Sequence, residues 1–126
     1  MKILLDLHIV LWFFGDTKKV PKEIMAAILN PENDKYVSIA ALWELTIKMN
    51  LGKLSFIGGF DRFLLMLDEN GFELLGITAR HIRRLNSLPP VHGDPFDRMI
   101  VAQAAVESMY IATADKNIKS YGVQCV

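Results

Sequence analysis

Polar and apolar positions alternate in blocks along this chain rather than residue by residue. The run KILL at 2–5 is continuously apolar after Lys2, and the stretches around Val37, Phe72 to Ile77 (interrupted by Glu73) and Met109 to Thr113 are largely so. Continuous apolar runs of this length suit strands buried on both faces. Helix-period segments separate them. The first runs from Asp6 to Phe14 and is stopped by Gly15 and Asp16. Val20-Pro21-Lys22-Glu23 opens a second, with Pro21 acceptable at the first helical position, and Asn30-Pro31 closes it. Lys35 to Ser38 reads as the second strand. The helix carrying AALWELTI follows and stops near Asn50, with Gly52 as a left-handed cap. Phe60, Phe63, Leu64 and Leu67 recur at helical spacing until Asn70-Gly71. Thr78 is an N-cap for a helix carrying Arg80, His81, Arg83 and Arg84, and Asp94-Pro95-Phe96-Asp97 starts another. A short helix follows Asp115, and Val123 to Val126 offers a fifth strand.

Strands alternating with helices predict an α/β fold: a parallel sheet of four or five strands with helices on both faces. The 126 residues fit a single domain spanning 1–126. Ligand sites in such sheets lie beyond the carboxyl ends of the strands, where strand order reverses. Asp6, after KILL, and Asp115, after YIATA, occupy such ends.

Composition narrows the class. Hydrophobic residues make up 52% of the chain, slightly above the usual share, which leaves apolar surface for a dimer or partner. Fourteen basic residues balance fourteen acidic ones, so nucleic-acid contact must come from a local patch. The single Cys125 excludes an intrachain disulfide and any cysteine metal site, and the expectation is a reducing cytoplasm. The run ILLDLHIVLWFF is broken by Asp6 and His8, lacks a cleavage site and is too short to span a bilayer, so no membrane role is expected.

The acids carry the candidate chemistry. Asp6, Asp94 and Asp115 each precede a helix and each serves as a capping residue on the plainest reading; Asp97 lies in a first turn, where a carboxylate favours the helix dipole. Glu44 is mid-helix, so capping does not explain it. It is either half of an i,i+4 pair with Lys48 on an exposed face or points into a cavity left by small Ala40 and Ala41. If Asp6, Glu44, Asp97 and Asp115 converge, their mutual repulsion calls for a cation, and an all-oxygen set suits Mg²⁺ or Mn²⁺.

Four stretches in order, ILLDLHIVLWFF, VSIAALWELTIKMNLGKL, HGDPFDRMIVAQA and IATADKNIKSYGV, resemble the PIN-domain ribonucleases, and among them the VapC-type toxins of toxin–antitoxin modules. The resemblance covers nearly the whole length. It implies a Rossmann-like three-layer sheet and an acidic pocket that binds Mg²⁺ or Mn²⁺ and hydrolyses RNA phosphodiester bonds. By position, its catalytic and metal-holding acids fall on Asp6, Glu44, Asp97 and Asp115, with Asp94 competing with Asp97 and left as a cap. The family commonly has a small hydroxyl residue after the first aspartate, where this chain has Leu7. The resemblance further implies an RNA substrate, a cognate antitoxin and a homodimer, for which Phe63 and Leu67 are interface candidates.

Supporting roles remain open in the sequence. Thr113 either donates to a carboxylate or is an ordinary strand residue. Arg80, His81, Arg83 and Arg84 form a solvated face or a phosphate-binding cluster. Arg98 pairs with an acid or a phosphate, His8 either acts near the pocket or is a hydrogen-bonded packing residue, His92 is a loop candidate for RNA contact, and Trp12 and Trp43 read as core. Two rivals stay in view. One is a PIN-like module that binds RNA or protein without catalysis. The other is a Mg²⁺-dependent phospho-aspartate or phosphatase-type domain, which wants a lysine nearby and has no role for Glu44.

Overall fold

The computed structural model describes residues 1–91 and 93–126, so His92 lies outside the described residues. In chain order the strands are β1 (Lys2–Leu5), β2 (Asp34–Ser38), β3 (Phe72–Leu75) and β4 (Tyr110–Ala112). The helices are α1 (Leu7–Phe14), α2 (Lys22–Leu29), α3 (Ile39–Asn50), α4 (Gly59–Glu69), α5 (Ala79–Asn86), α6 (Pro95–Glu107) and α7 (Lys116–Lys119). A single turn of 3₁₀-helix at Thr17–Lys19 joins α1 to α2.

The sheet is parallel throughout, in the order β3-β2-β1-β4. Leu5 of β1 stands opposite Val37 of β2 on one side and Ala112 of β4 on the other. Strand order therefore reverses at β1, and the crevice for a site opens above the carboxyl ends of β1 and β4. The fifth strand expected at Val123 to Val126 is reduced to one bridge, Ile111 to Cys125, flanked by hydrogen bonds from the Ile111 N–H to the Gln124 carbonyl and from the Val126 N–H to the Ile111 carbonyl. β3 is also shorter than expected, ending at Leu75 rather than Ile77.

Burial on both faces explains the apolar runs. Ile3 and Leu5 pack with Leu7, Val10, Ile24, Leu45 and Phe63 on one face. Leu4, between them, packs with Ile100, Val101, Ile111 and Ile118 on the other. At about 25 cal/mol per Å², each fully buried aliphatic side chain contributes ~1.5–3 kcal/mol. Phe63 and Leu67 belong to this interior and are buried within the chain itself. They are therefore corrected as dimer-interface candidates, because a side chain already filling its own core has no surface to share. Helix ends follow the local chemistry. Gly52 and Gly71 take positive φ after α3 and α4, and Ser38 caps α3 through its hydroxyl on the Ala40 N–H. Among the described residues no helix is long and apolar enough to cross a membrane.

Candidate active site

A cavity of about 330 Å³ opens above the carboxyl ends of β1 and β4. Its wall contains the carboxylates of Asp6, Glu44, Asp94, Asp97 and Asp115. His8, Trp12 and Lys48 complete its polar and aromatic rim. Thus all four acids singled out in the sequence, and the competing Asp94, reach one space from four separate elements.

Three of the acids are helix caps as well as cavity groups. Asp6 ends β1 and caps α1, accepting the His8 N–H at 2.8 Å. Asp94 caps α6, accepting the Phe96 and Asp97 N–H groups at 2.9 and 3.0 Å, with Pro95 at the first helical position. Asp115 caps α7 through the Asn117 N–H at 2.8 Å. Asp6 and Asp115 cap helices that follow strands β1 and β4, and the carboxyl end of a strand in a parallel sheet is also the ligand-binding edge. Capping and site formation are therefore one placement.

Thr113 ties two of these acids together. Its hydroxyl donates to Asp6 Oδ2 at 2.6 Å and accepts the Asp115 N–H at 3.0 Å. Asp6 is buried, which alone pushes its carboxyl upward. Hydrogen bonds from His8 and Thr113 outweigh that and hold it below the usual carboxylate value. The His8 ring nitrogen Nδ1 is 3.8 Å from Asp6 Oδ1. The Asp6 carboxylate raises the imidazole above its ordinary value, against partial burial.

Glu44 resolves differently from either sequence reading. It does form the i,i+4 pair, with Lys48 Nζ 2.8 Å from Oε2, yet it is only 4% exposed. It also lines the cavity, but Ala40 and Ala41 do not make room for it: both are buried, and neither borders the cavity. The partner predicted on a solvated face instead lies at the cavity wall. The Glu44 hydrogen bond lifts the Lys48 ammonium above its usual value; burial opposes this, and the Asp94 and Asp97 charges add to it.

An oxygen-rich anionic wall suits a hard divalent cation. Among the described residues, however, no three His, Cys, Asp or Glu side chains are close enough to enclose an ion, and one oxygen of Glu44 already meets Lys48. The fit is thus in donor chemistry and location, not in a preformed cage.

Several further expectations change. His81 is fully buried: its Nδ1 accepts the Thr78 N–H at 3.0 Å and its Nε2 meets Glu107 Oε2 at 2.8 Å, in a capping box. It therefore leaves the basic cluster, and Arg80, Arg83 and Arg84 border a separate cavity that contains none of the acids. Arg98 donates to the Pro89 carbonyl and the Tyr121 hydroxyl, anchoring the loop before α6. Trp43 is 62% exposed rather than core, in an edge-to-face contact with Phe96 at 5.3 Å between ring centres. Leu7 is buried among core residues, so the position that carries a hydroxyl in the resembling family points away from solvent here.

The model of the PIN domain matches residues 3–124, and the chain belongs to the PIN-domain family. No curated protein matches the chain. Solved structures do. VapBC2 from Rickettsia felis, bound to a DNA fragment from their promoter, superposes with a TM-score of 0.72 at 16% identity, covering 99% of this chain and 96% of that one. VapBC-1 from nontypeable Haemophilus influenzae gives 0.72 at 18%, covering 100% and 97%. FitAcB from Neisseria gonorrhoeae gives 0.65 at 18%, covering 98% and 95%. At these identities the likeness is one of fold.

Proposed function

We propose that this chain is a metal-dependent endoribonuclease and the toxin of a toxin–antitoxin pair. The observation that carries the reading is the convergence of Asp6, Glu44, Asp97 and Asp115 on one cavity at the switch point of a PIN-domain sheet. The solved structures of similar fold include VapBC and FitAcB assemblies and a toxin–antitoxin complex from Klebsiella pneumoniae, which supports a cognate antitoxin as partner. The family resemblance adds a homodimer, and the single Cys125 a reducing cytoplasm.

Asp6, Glu44, Asp97 and Asp115 are the residues that would hold Mg²⁺ or Mn²⁺. Such an ion, when bound, supplies an activated water and neutralises charge on the phosphate oxygens. The chain's own groups do the rest. Thr113 and the His8 N–H fix the Asp6 carboxylate and keep it ionised. Asp94 secures the first turn of α6, which sets the direction of Asp97. In the hydrolysis itself, a water oxygen bonds to phosphorus, one P–O ester bond breaks and the departing oxygen takes a proton. Thr113 provides Asp6 with a hydroxyl partner, so Leu7 does not deprive that carboxylate of one.

The test is cleavage of a fluorescent mixed-sequence RNA by purified protein in Mn²⁺ or Mg²⁺. Cleavage that EDTA abolishes and that Asp6→Asn and Asp97→Asn each lower by about 100-fold or more supports the reading. Folded protein that neither cleaves RNA nor gains thermal stability from Mn²⁺ overturns it in favour of a binding module.

A further inference from the structure

The cavity poses an electrostatic problem that its acids cannot solve. Five carboxylates face the space that a phosphodiester, itself an anion, must enter. The arginines of α5 border their own separate cavity, so they do not relieve the repulsion at this one. Among the described residues lining the acidic cavity, Lys48 is the lysine or arginine present. His8 also lies there, but an imidazole carries charge over part of the pH range only.

Lys48 has the geometry for the task. Its side chain is 31% exposed, so the ammonium is neither sealed in the core nor loose in solvent. Glu44 Oε2 holds it at 2.8 Å from one helical turn earlier on α3. An ammonium has three N–H donors. One meets Glu44, and among the described residues no other hydrogen-bond acceptor takes the remaining two.

A solvent-exposed i,i+4 pair contributes little to stability and needs no buried partner. Here the carboxylate is the buried member and the cation the half-exposed one. That arrangement fixes the position of the cation, because the carboxylate cannot follow it outward without leaving its own packing.

We propose that Lys48 is the substrate-phosphate ligand of this cavity, and that Glu44 is a positioning residue that pins the ammonium at the cavity wall. This rests on the ribonuclease reading and adds to it a residue that touches the RNA backbone. One Glu44 oxygen serves Lys48.

The experiment measures binding of a short labelled single-stranded RNA to the full chain in EDTA, across a salt series. For single strands, each phosphate contact contributes about 0.7 to the slope of log affinity against log salt. Lys48→Met is expected to weaken binding about tenfold and to lower the slope by about 0.7, one contact's share. Lys48→Arg keeps the charge and is expected to keep the slope. Because Lys48→Met leaves Glu44 buried without its partner, the slope is also read on the double variant Lys48→Met/Glu44→Gln, which strands no charge. A purely structural role for Lys48 would lower stability and leave the slope alone. A wild-type slope in the folded double variant overturns the proposal while the ribonuclease reading stands. Wild-type protein that shows no salt-dependent RNA binding in EDTA overturns the proposal, and the ribonuclease reading then stands or falls on its own cleavage test.

Discussion

Asp6 and Glu44 face one cavity, are 6% and 4% exposed, and are satisfied in opposite ways. Asp6 is held by two dipoles, a threonine hydroxyl and a backbone N–H, with the half-exposed His8 ring 3.8 Å away. Glu44 is held by a full positive charge. Dipoles satisfy the lone pairs of a carboxylate while leaving its net charge uncancelled, so Asp6 still attracts a cation. The ammonium beside Glu44 offsets the charge of that carboxylate and presents N–H donors on this side of the cavity, so Glu44 draws a cation less strongly than Asp6 does. The two buried acids therefore divide the cavity into a cation-seeking wall and an anion-tolerant one, which is the polarity a phosphodiester and a metal ion require together.

The sharpest way to break this comparison is to strand Glu44. Lys48→Met leaves a buried carboxylate unpaired and should destabilise the fold by about 2–4 kcal/mol, just under the cost of breaking a fully buried pair because Lys48 keeps some solvent. Urea unfolding measures it, and Lys48→Met/Glu44→Gln should recover most of the loss in a double-mutant cycle. A single-variant loss below about 0.5 kcal/mol, the value of an exposed pair, would remove the distinction between the two walls.

Next in size is Thr113→Val, which removes the hydroxyl from Asp6 at nearly constant volume and should cost about 1–3 kcal/mol. This change also carries a pH signature. The folded Asp6 value lies below the unfolded one of about 3.9, so its contribution to stability is present above that pH and is lost as pH falls through the folded value. Without the Thr113 hydroxyl the folded value rises, and acid unfolding should begin at higher pH. Circular dichroism through an acid titration of both proteins checks the direction; coincident curves count against Thr113 as the group that keeps Asp6 ionised.

The smallest effect concerns His8. Its folded value lies above the unfolded one of about 6.5, so its stabilisation is complete below that pH and disappears as pH rises through the folded value. The ring is half-exposed, so solvent screening limits the effect to about 0.5 kcal/mol or less. His8→Gln should flatten the slight fall in melting temperature above pH ~6.5. An unchanged slope would show that the 3.8 Å contact with Asp6 is electrostatically idle.

Much of the molecule was legible in the residues. Apolar runs identified four strands, covered on both faces at β1 and β4 but not at the edge strand β3, where Leu74 is exposed, and Asn70-Gly71, Thr78 and Asp94 marked helix ends through chemistry that is local to each. Asp6 and Asp115 were legible as caps at strand ends, since a cap aspartate after a buried strand is placed at that edge by chain connectivity alone. What failed involved side-chain direction. Trp43 sits among aliphatic residues in sequence yet projects outward, while His81, flanked by arginines, turns inward to Glu107. The reduced fifth strand is a further case, because pairing with β4 depends on how α7 returns the chain.

The sequence by itself determined the order of elements, the parallel sheet they form and which acids end its strands, because periodicity, caps and turns act over a few residues. Only the tertiary structure decided that Glu44 is buried while its partner stays half in solvent, and that Thr113 reaches across to Asp6 from 107 residues away. Those facts depend on how α3 packs against α1, α6 and β2 and how β4 adds beside β1, distances that no local pattern encodes. The division of one cavity into two electrostatic walls is a property of that packing.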